Sequence, residues 1–185
     1  MEINNKLESI NAIRELNLNK FPEELFESGE EDRVIMFLNK YKAPYYAIRD
    51  KSSPSGVFKL MVDYNRVLEE VKEYKIFTIN VSSINYSDNQ LLVGEIEIKS
   101  NNKVYAVLST NPKFSVRDAI QKPEINIKTT LFDDNTLNKI PYFDYIYNYI
   151  VTHKLKDIIV EFALFDKNVG INNERVIIYE LRTNY

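Results

Sequence analysis

The sequence predicts an α+β fold, a mostly antiparallel sheet with flanking helices. Three observations predict it. Short β-prone runs come in pairs separated by turn residues, around 50–56, around 100–102 and across the Asn- and Gly-bearing stretch before Arg175. Helical periodicity is concentrated in separate stretches at 7–16, 31–41 and 142–153. Hydrophobic residues make up 44% of the 185 residues and charged residues 28%, which suffices for a packed core and is too apolar for a disordered chain.

The elements follow in order. Leu7, Ile10, Ile13 and Leu16 keep helical spacing, and residues 17–20 break it. A second helix is expected over 31–41, with Val34, Ile35, Leu38 and Tyr41 on one face and Ser28-Gly29 as its start signal. Ala43-Pro44 ends it, because the residue before proline avoids helical angles. Together these make residues 1–41 an N-terminal helical segment, followed by an α+β domain over 42–185 in the same compact unit. Strands are expected at 45–49 and 57–62 around the Ser/Pro/Gly-rich turn, and at 75–82, with a short helix over 66–74 between them. Residues 91–99 and 103–109 read as a hairpin. Ser115 suits the N-cap of a short helix carrying Arg117 and Asp118, and 125–131 reads as a further strand. Residues 142–153 give the clearest amphipathic helix, with Tyr142, Ile146, Tyr149, Ile150 and His153 on one stripe. Two apolar strands, 158–165 and 175–182, close the chain.

Composition narrows the chemistry. The chain has no cysteine, so a disulfide framework, a thiolate metal site and a cysteine nucleophile are excluded. A single histidine excludes the common zinc sites within one chain. A formal net charge of −3 with no long basic run argues against nucleic-acid binding. Residues 1–18 lack the apolar centre of a signal peptide and no stretch is apolar enough to span a bilayer, so the cytoplasm is the expected compartment. The four glycines, at 29, 56, 94 and 170, are too far apart for a Gly-rich phosphate loop. Any phosphate contact must come from side chains, helix N-termini or an isolated turn.

Four places carry charges worth weighing. His153 lies near the end of its helix, where a positive charge complements the helix dipole, and it serves equally well as a packed rim residue. Arg49 leaves a strand into a Ser-rich turn and presents a planar cation beside hydroxyls and amides, the groups that recognise polyphosphate. Glu95 and Glu97 share one strand face, which suits a divalent cation or, more simply, the solvent side of a half-buried sheet. Glu161 and Glu180 interrupt the two apolar C-terminal strands, and a carboxylate in such a strand must be paired, protonated or bound to a cation. Symmetric closure of the connecting loop sets Glu161 opposite Glu180. Mg²⁺ or the nearby Arg182 would relieve that repulsion, and a Glu–Arg ion pair at a sheet edge is the plainer alternative.

The ending Val160-Glu161-Phe162-Ala163 followed by Ile178-Tyr179-Glu180-Leu181-Arg182-Thr183 resembles the close of ATP-grasp nucleotide-binding domains. It is most similar to the branch found in phosphoenolpyruvate synthase and pyruvate phosphate dikinase. Ala47-Ile48-Arg49 running toward Ser52-Ser53 resembles that branch's phosphate-contacting Val-Arg-Ser-Ser segment. The resemblance implies an ATP-grasp-like fold that binds ATP and Mg²⁺, with phosphotransfer or ligase activity or with catalysis lost. It implies that Glu161 and Glu180 hold the metal and that Arg49 and Arg182 contact phosphate, with Lys59 as a candidate lysine. The pattern is interrupted at Asp50-Lys51, and Glu180 stands where this branch has glutamine. The competing expectation is a non-catalytic interaction module or homo-oligomer. It would act through residues 1–41 and their acidic stretch of Glu23, Glu24, Glu27, Glu30, Glu31 and Asp32.

Overall fold

The computed structural model describes residues 2–52, 57–112, 114 and 122–183. In chain order the elements are α1 (Lys6–Glu15), β1 (Glu23–Glu27), α2 (Glu31–Lys40), β2 (Tyr45–Asp50), β3 (Phe58–Asp63), α3 (Val67–Glu70), β4 (Ile76–Val81), β5 (Gln90–Ile98), β6 (Lys103–Ser109), β7 (Ile125–Thr130), α4 (Asp134–Leu137), α5 (Phe143–Thr152), β8 (Ile159–Val169) and β9 (Glu174–Arg182). The described strands form two wholly antiparallel sheets, so the α+β expectation holds. The expected helix at Ser115, with Arg117 and Asp118, lies outside the described residues, as does the turn over 53–56.

The chain divides into two units, Phe21–Ser87 and the combination of Met1–Lys20 with Asp88–Tyr185. The division expected after residue 41 therefore falls inside the first of these. Residues 1–41 are also not wholly helical, because Glu23–Glu27 pairs with β4 as a strand. Three of its five residues are glutamates, which have little preference for strands. Pairing with β4 overrides that preference.

The Phe21–Ser87 unit holds a four-stranded sheet of order β1-β4-β2-β3. Phe26, Tyr46, Ile48, Phe77 and Ile79 fill one face. The helix α2 covers that face with Val34, Phe37 and Leu38, and Phe37 packs edge-on against Phe26 at 5.8 Å. Ile35, expected on the buried stripe, is 40% exposed, while Phe37 takes its place. The acidic stretch is partly neutralised within the unit, since Arg33 bridges Glu24 at 2.6 Å and also pairs with Glu30.

The larger unit holds a five-stranded sheet of order β7-β6-β5-β8-β9. Ile96, Ile98, Val160, Phe162, Ile178 and Leu181 fill one face, with Ile146 and Ile150 of α5 and Ala12 and Ile13 of α1 in the same cluster. The first twenty residues anchor β9. Leu181 N–H donates to Ser9 Oγ at 2.8 Å, and Thr183 and Ile3 exchange backbone and side-chain bonds. The buried Asn19 amide donates to the carbonyls of Val169 and Val176, both at 2.9 Å. These bonds fix the strand that carries Glu180 and Arg182.

Candidate functional site

The second face of the five-stranded sheet carries a row of carboxylates. The β5–β8 register sets Glu95 beside Glu161, and the β8–β9 register sets Glu161 beside Glu180. Three glutamates thus stand abreast on adjacent strands, with the Glu161–Glu180 juxtaposition as expected. One step along, the register aligns Glu97, Ile159 and Arg182.

A β-bulge puts Glu180 and Arg182 on this face. Val176 and Ile178 point into the core, and strict alternation would send residues 180 and 182 after them. Phe162 pairs with Ile178 but Glu161 pairs with Glu180, so Tyr179 is an extra residue in β9. It shifts the phase by one, turning Leu181 inward and Glu180 and Arg182 onto the acidic face. Bulges that re-aim a side chain in this way gather at functional sites.

Arg182 Nη2 donates to Glu95 Oε1. Lys99 Nζ lies 3.3 Å from Glu97 Oε1 and 5.5 Å from the centre of the Tyr105 ring, which Lys128 also approaches at 5.3 Å. Glu95 and Glu97 are only 5% and 4% exposed, so the solvent-side reading of this pair is wrong. Their strand is the centre of the sheet, and its alternating pattern reflects two buried faces of different polarity. Glu97 Oε2 and Arg182 Nε are buried without a hydrogen-bond partner among the described residues, and buried polar atoms in that condition are met by water or a ligand.

Among the described residues no group of three or more His, Asp or Glu side chains converges as a metal cage. Two opposed carboxylates suit Mg²⁺ better than Ca²⁺, because Mg²⁺ is commonly held by one or two carboxylates together with the phosphates of its substrate. The donor set is all oxygen, which matches a hard cation.

In the four-stranded sheet, Arg49 lies on the face opposite α2. It pairs with Thr78 on β4 and Phe58 on β3, and its guanidinium stacks 4.6 Å from the centre of the Phe58 ring. Lys59 pairs with Ile48, so it projects from the other face, where it forms an ion pair with Glu70. Tyr74 Oη donates to the same carboxylate at 2.9 Å, and burial, followed by the hydrogen bond to Glu70, pushes the phenol up to about 12. Lys59 therefore does not accompany Arg49. His153 caps α5, with its ring centre 4.3 Å from that of Tyr149, and acts there as a packed rim residue.

Neither a protein-family model nor a curated protein matches the chain. Among solved structures it is similar to the ADP complex of N5-carboxyaminoimidazole ribonucleotide synthetase. That likeness has 12% identity and a TM-score of 0.53, and covers 100% of this chain and 45% of that one. It is also similar to the macrocyclase MdnC bound with precursor peptide MdnA from Microcystis aeruginosa (13% identity, TM-score 0.48, 95% of this chain and 51% of that one). A third likeness is to D-alanine-D-alanine ligase from Helicobacter pylori (13% identity, TM-score 0.46, 97% of this chain and 53% of that one). The chain spans about half the length of these proteins. Its fold is ATP-grasp-like, as the likeness to the synthetase shows. No helix among the described residues is long and apolar enough to cross a membrane.

Proposed function

We propose that the chain binds ATP together with Mg²⁺ on the acidic face of its five-stranded sheet. The observation that carries the reading is the row of Glu95, Glu161 and Glu180 with Arg182 drawn to Glu95. Glu161 and Glu180 take the cation. Glu95 holds Arg182, which addresses phosphate oxygens with its remaining N–H donors. Bound Mg²⁺ and ATP supply an energised phosphoryl group. The side chains of this face orient it and neutralise its charge, which is most of what a protein contributes to phosphoryl transfer. The ADP bound to the similar synthetase supports a nucleotide as the ligand.

Phosphotransfer or ligation is the chemistry that this reading assigns to the site. The phosphoenolpyruvate synthase-like branch is the finer assignment, supported by Arg49 and the serine that follows at 52. Arg49 lies on the four-stranded sheet, where the resemblance assigns it to phosphate.

Calorimetric titration with ATP, with and without Mg²⁺, tests the reading. Saturable binding that depends on Mg²⁺ is expected in the unaltered chain. Glu161→Gln should weaken it about tenfold or more, the worth of one lost charge-assisted contact. Equal affinity in Glu161→Gln, Glu180→Gln and the unaltered chain would remove the site.

Self-association is a second reading, favoured by β3. This edge strand exposes Leu60 (42%) and Met61 (58%), and exposed apolar edge strands are templates for pairing. Light scattering over a concentration series separates the readings, since association without any nucleotide effect belongs to the second alone.

A further inference from the structure

The α4 segment between β7 and α5 leaves a cleft of about 520 Å³ on the larger unit. Leu131, Leu137 and Ile140 give it an apolar lining and belong to the hydrophobic cluster that α5 shares with the five-stranded sheet. That cluster fills the apolar face of the sheet, so the cleft lies on the side opposite the acidic row.

One wall is the start of α5. Phe143 and Tyr147 are four residues apart and so share one helix face. Their rings lie nearly parallel, at 26°, with centres 6.0 Å apart, and form an extended aromatic surface. Tyr142 stands beside them, 48% exposed. Its left-handed backbone, with φ at 59°, turns the chain from Pro141 into the helix, a conformation that a bulky residue rarely adopts.

Two aspartates complete the lining, Asp134 on α4 and Asp144 on α5. The neighbouring Asp133 is engaged in capping α4, where it accepts from the Thr136 N–H at 3.2 Å and the Thr129 hydroxyl at 2.9 Å. The side chains of Asp134 and Asp144 make no hydrogen bond or ion pair among the described residues. Small-molecule clefts typically span about 300–1,000 Å³, with aromatic and apolar walls and a few polar groups. Uncommitted carboxylates repel an anion, and the faces of aromatic rings attract cations. Lys156 Nζ already lies 5.9 Å from the centre of the Tyr147 ring. A planar cation suits the paired rings best, because it stacks on an aromatic face and offers forked N–H donors to a carboxylate.

We propose that this cleft binds a small organic molecule carrying a guanidinium or amidinium group on an apolar body. The planar cation stacks on Phe143 and Tyr147 and donates to Asp134 and Asp144. The apolar body rests on Leu137 and Ile140. The site shares no residue with the nucleotide reading and stands or falls without it.

The test is titration of the full chain with benzamidine at low salt, followed residue by residue through the amide signals in NMR. Saturable binding with shifts gathered at residues 131–147 is expected, weakening as salt is raised. Benzamide, the neutral isostere, should bind about tenfold more weakly or worse, since it lacks the charge-assisted contacts. Asp134→Asn and Asp144→Asn should each lower benzamidine affinity about fivefold, a modest factor because both carboxylates are exposed. Glu31→Gln removes an exposed carboxylate from the other unit and should leave the affinity unchanged. Circular dichroism of each variant confirms that it is folded. Lack of saturable benzamidine binding, equal affinity for benzamide, shifts gathered instead at Glu95, Glu161 and Glu180, or unchanged affinity in both aspartate variants would each overturn the proposal.

Discussion

The two sheets present opposite chemistry on comparable frameworks. Each is antiparallel and packs one apolar face against helices. The four-stranded sheet carries Arg49 on its other face and Lys51 just past the same strand's end, neither in an ion pair among the described residues, with Glu23 pulling weakly on Lys51. The five-stranded sheet carries Glu95, Glu97, Glu161 and Glu180 on its other face, in mid-strand and largely out of water, with Arg182 and Lys99 among them. One face is cationic and the other mainly acidic. The comparison teaches that charge can be placed at two costs. Two half-buried cations at a strand end cost stability through burial and mutual repulsion, whereas a mid-strand carboxylate needs register, a bulge and a partner.

The predictions probe that difference, beginning at the centre of the five-stranded sheet with Gly94→Val. Gly94 has φ near +144°, and an added Cβ would lie 2.1 Å from the Val107 carbonyl oxygen. A loss of about 3 kcal/mol or more is expected by urea denaturation, because backbone must move.

Glu95→Ala removes the acceptor held by Arg182. Breaking a buried pair costs about 3–5 kcal/mol, and the quarter exposure of Arg182 brings the expected loss nearer 2 kcal/mol. No comparable loss should follow Lys51→Ala on the other sheet, where the removed charge is opposed by burial and by Arg49 more than it is held by Glu23, and stability should stay level or rise by about 0.5 kcal/mol. The smallest effect concerns pH. Glu70 is held below its ordinary value, first by the hydrogen bond from Lys59, against burial, and then by Tyr74. A depressed carboxyl stabilises the fold above its unfolded value, about 4.3, and that stabilisation is lost as pH falls through the lower folded value. Lys59→Ala should shift this acid loss to higher pH in a melting series, by less than about 1 kcal/mol, since the lysine is half exposed.

The sequence carried much of the strand plan, because alternation and turn residues are local signals. The hairpin at β5–β6, the C-terminal pair and the Glu161–Glu180 juxtaposition were legible in this way. What escaped depended on partners distant in sequence. The strand β1 is acid-rich and becomes a strand by pairing with β4, fifty residues on. Burial of Glu95 and Glu97 follows from the central place of β5, which the alternating pattern disguised as a half-wet strand. The face of Lys59 follows from the register across a turn, and one residue decides it. The Tyr179 bulge leaves no local signal except that charged residues occur where alternation forbids them.

The most direct test of the nucleotide reading is thermal unfolding of the full chain in four conditions: alone, with ATP, with Mg²⁺, and with both at millimolar concentration. A ligand at 100 times its dissociation constant adds about 2.7 kcal/mol, a readily measured rise in melting temperature. The account predicts a rise that needs ATP and Mg²⁺ together and is lost in Glu161→Gln. Equal melting temperatures in all four conditions would contradict it.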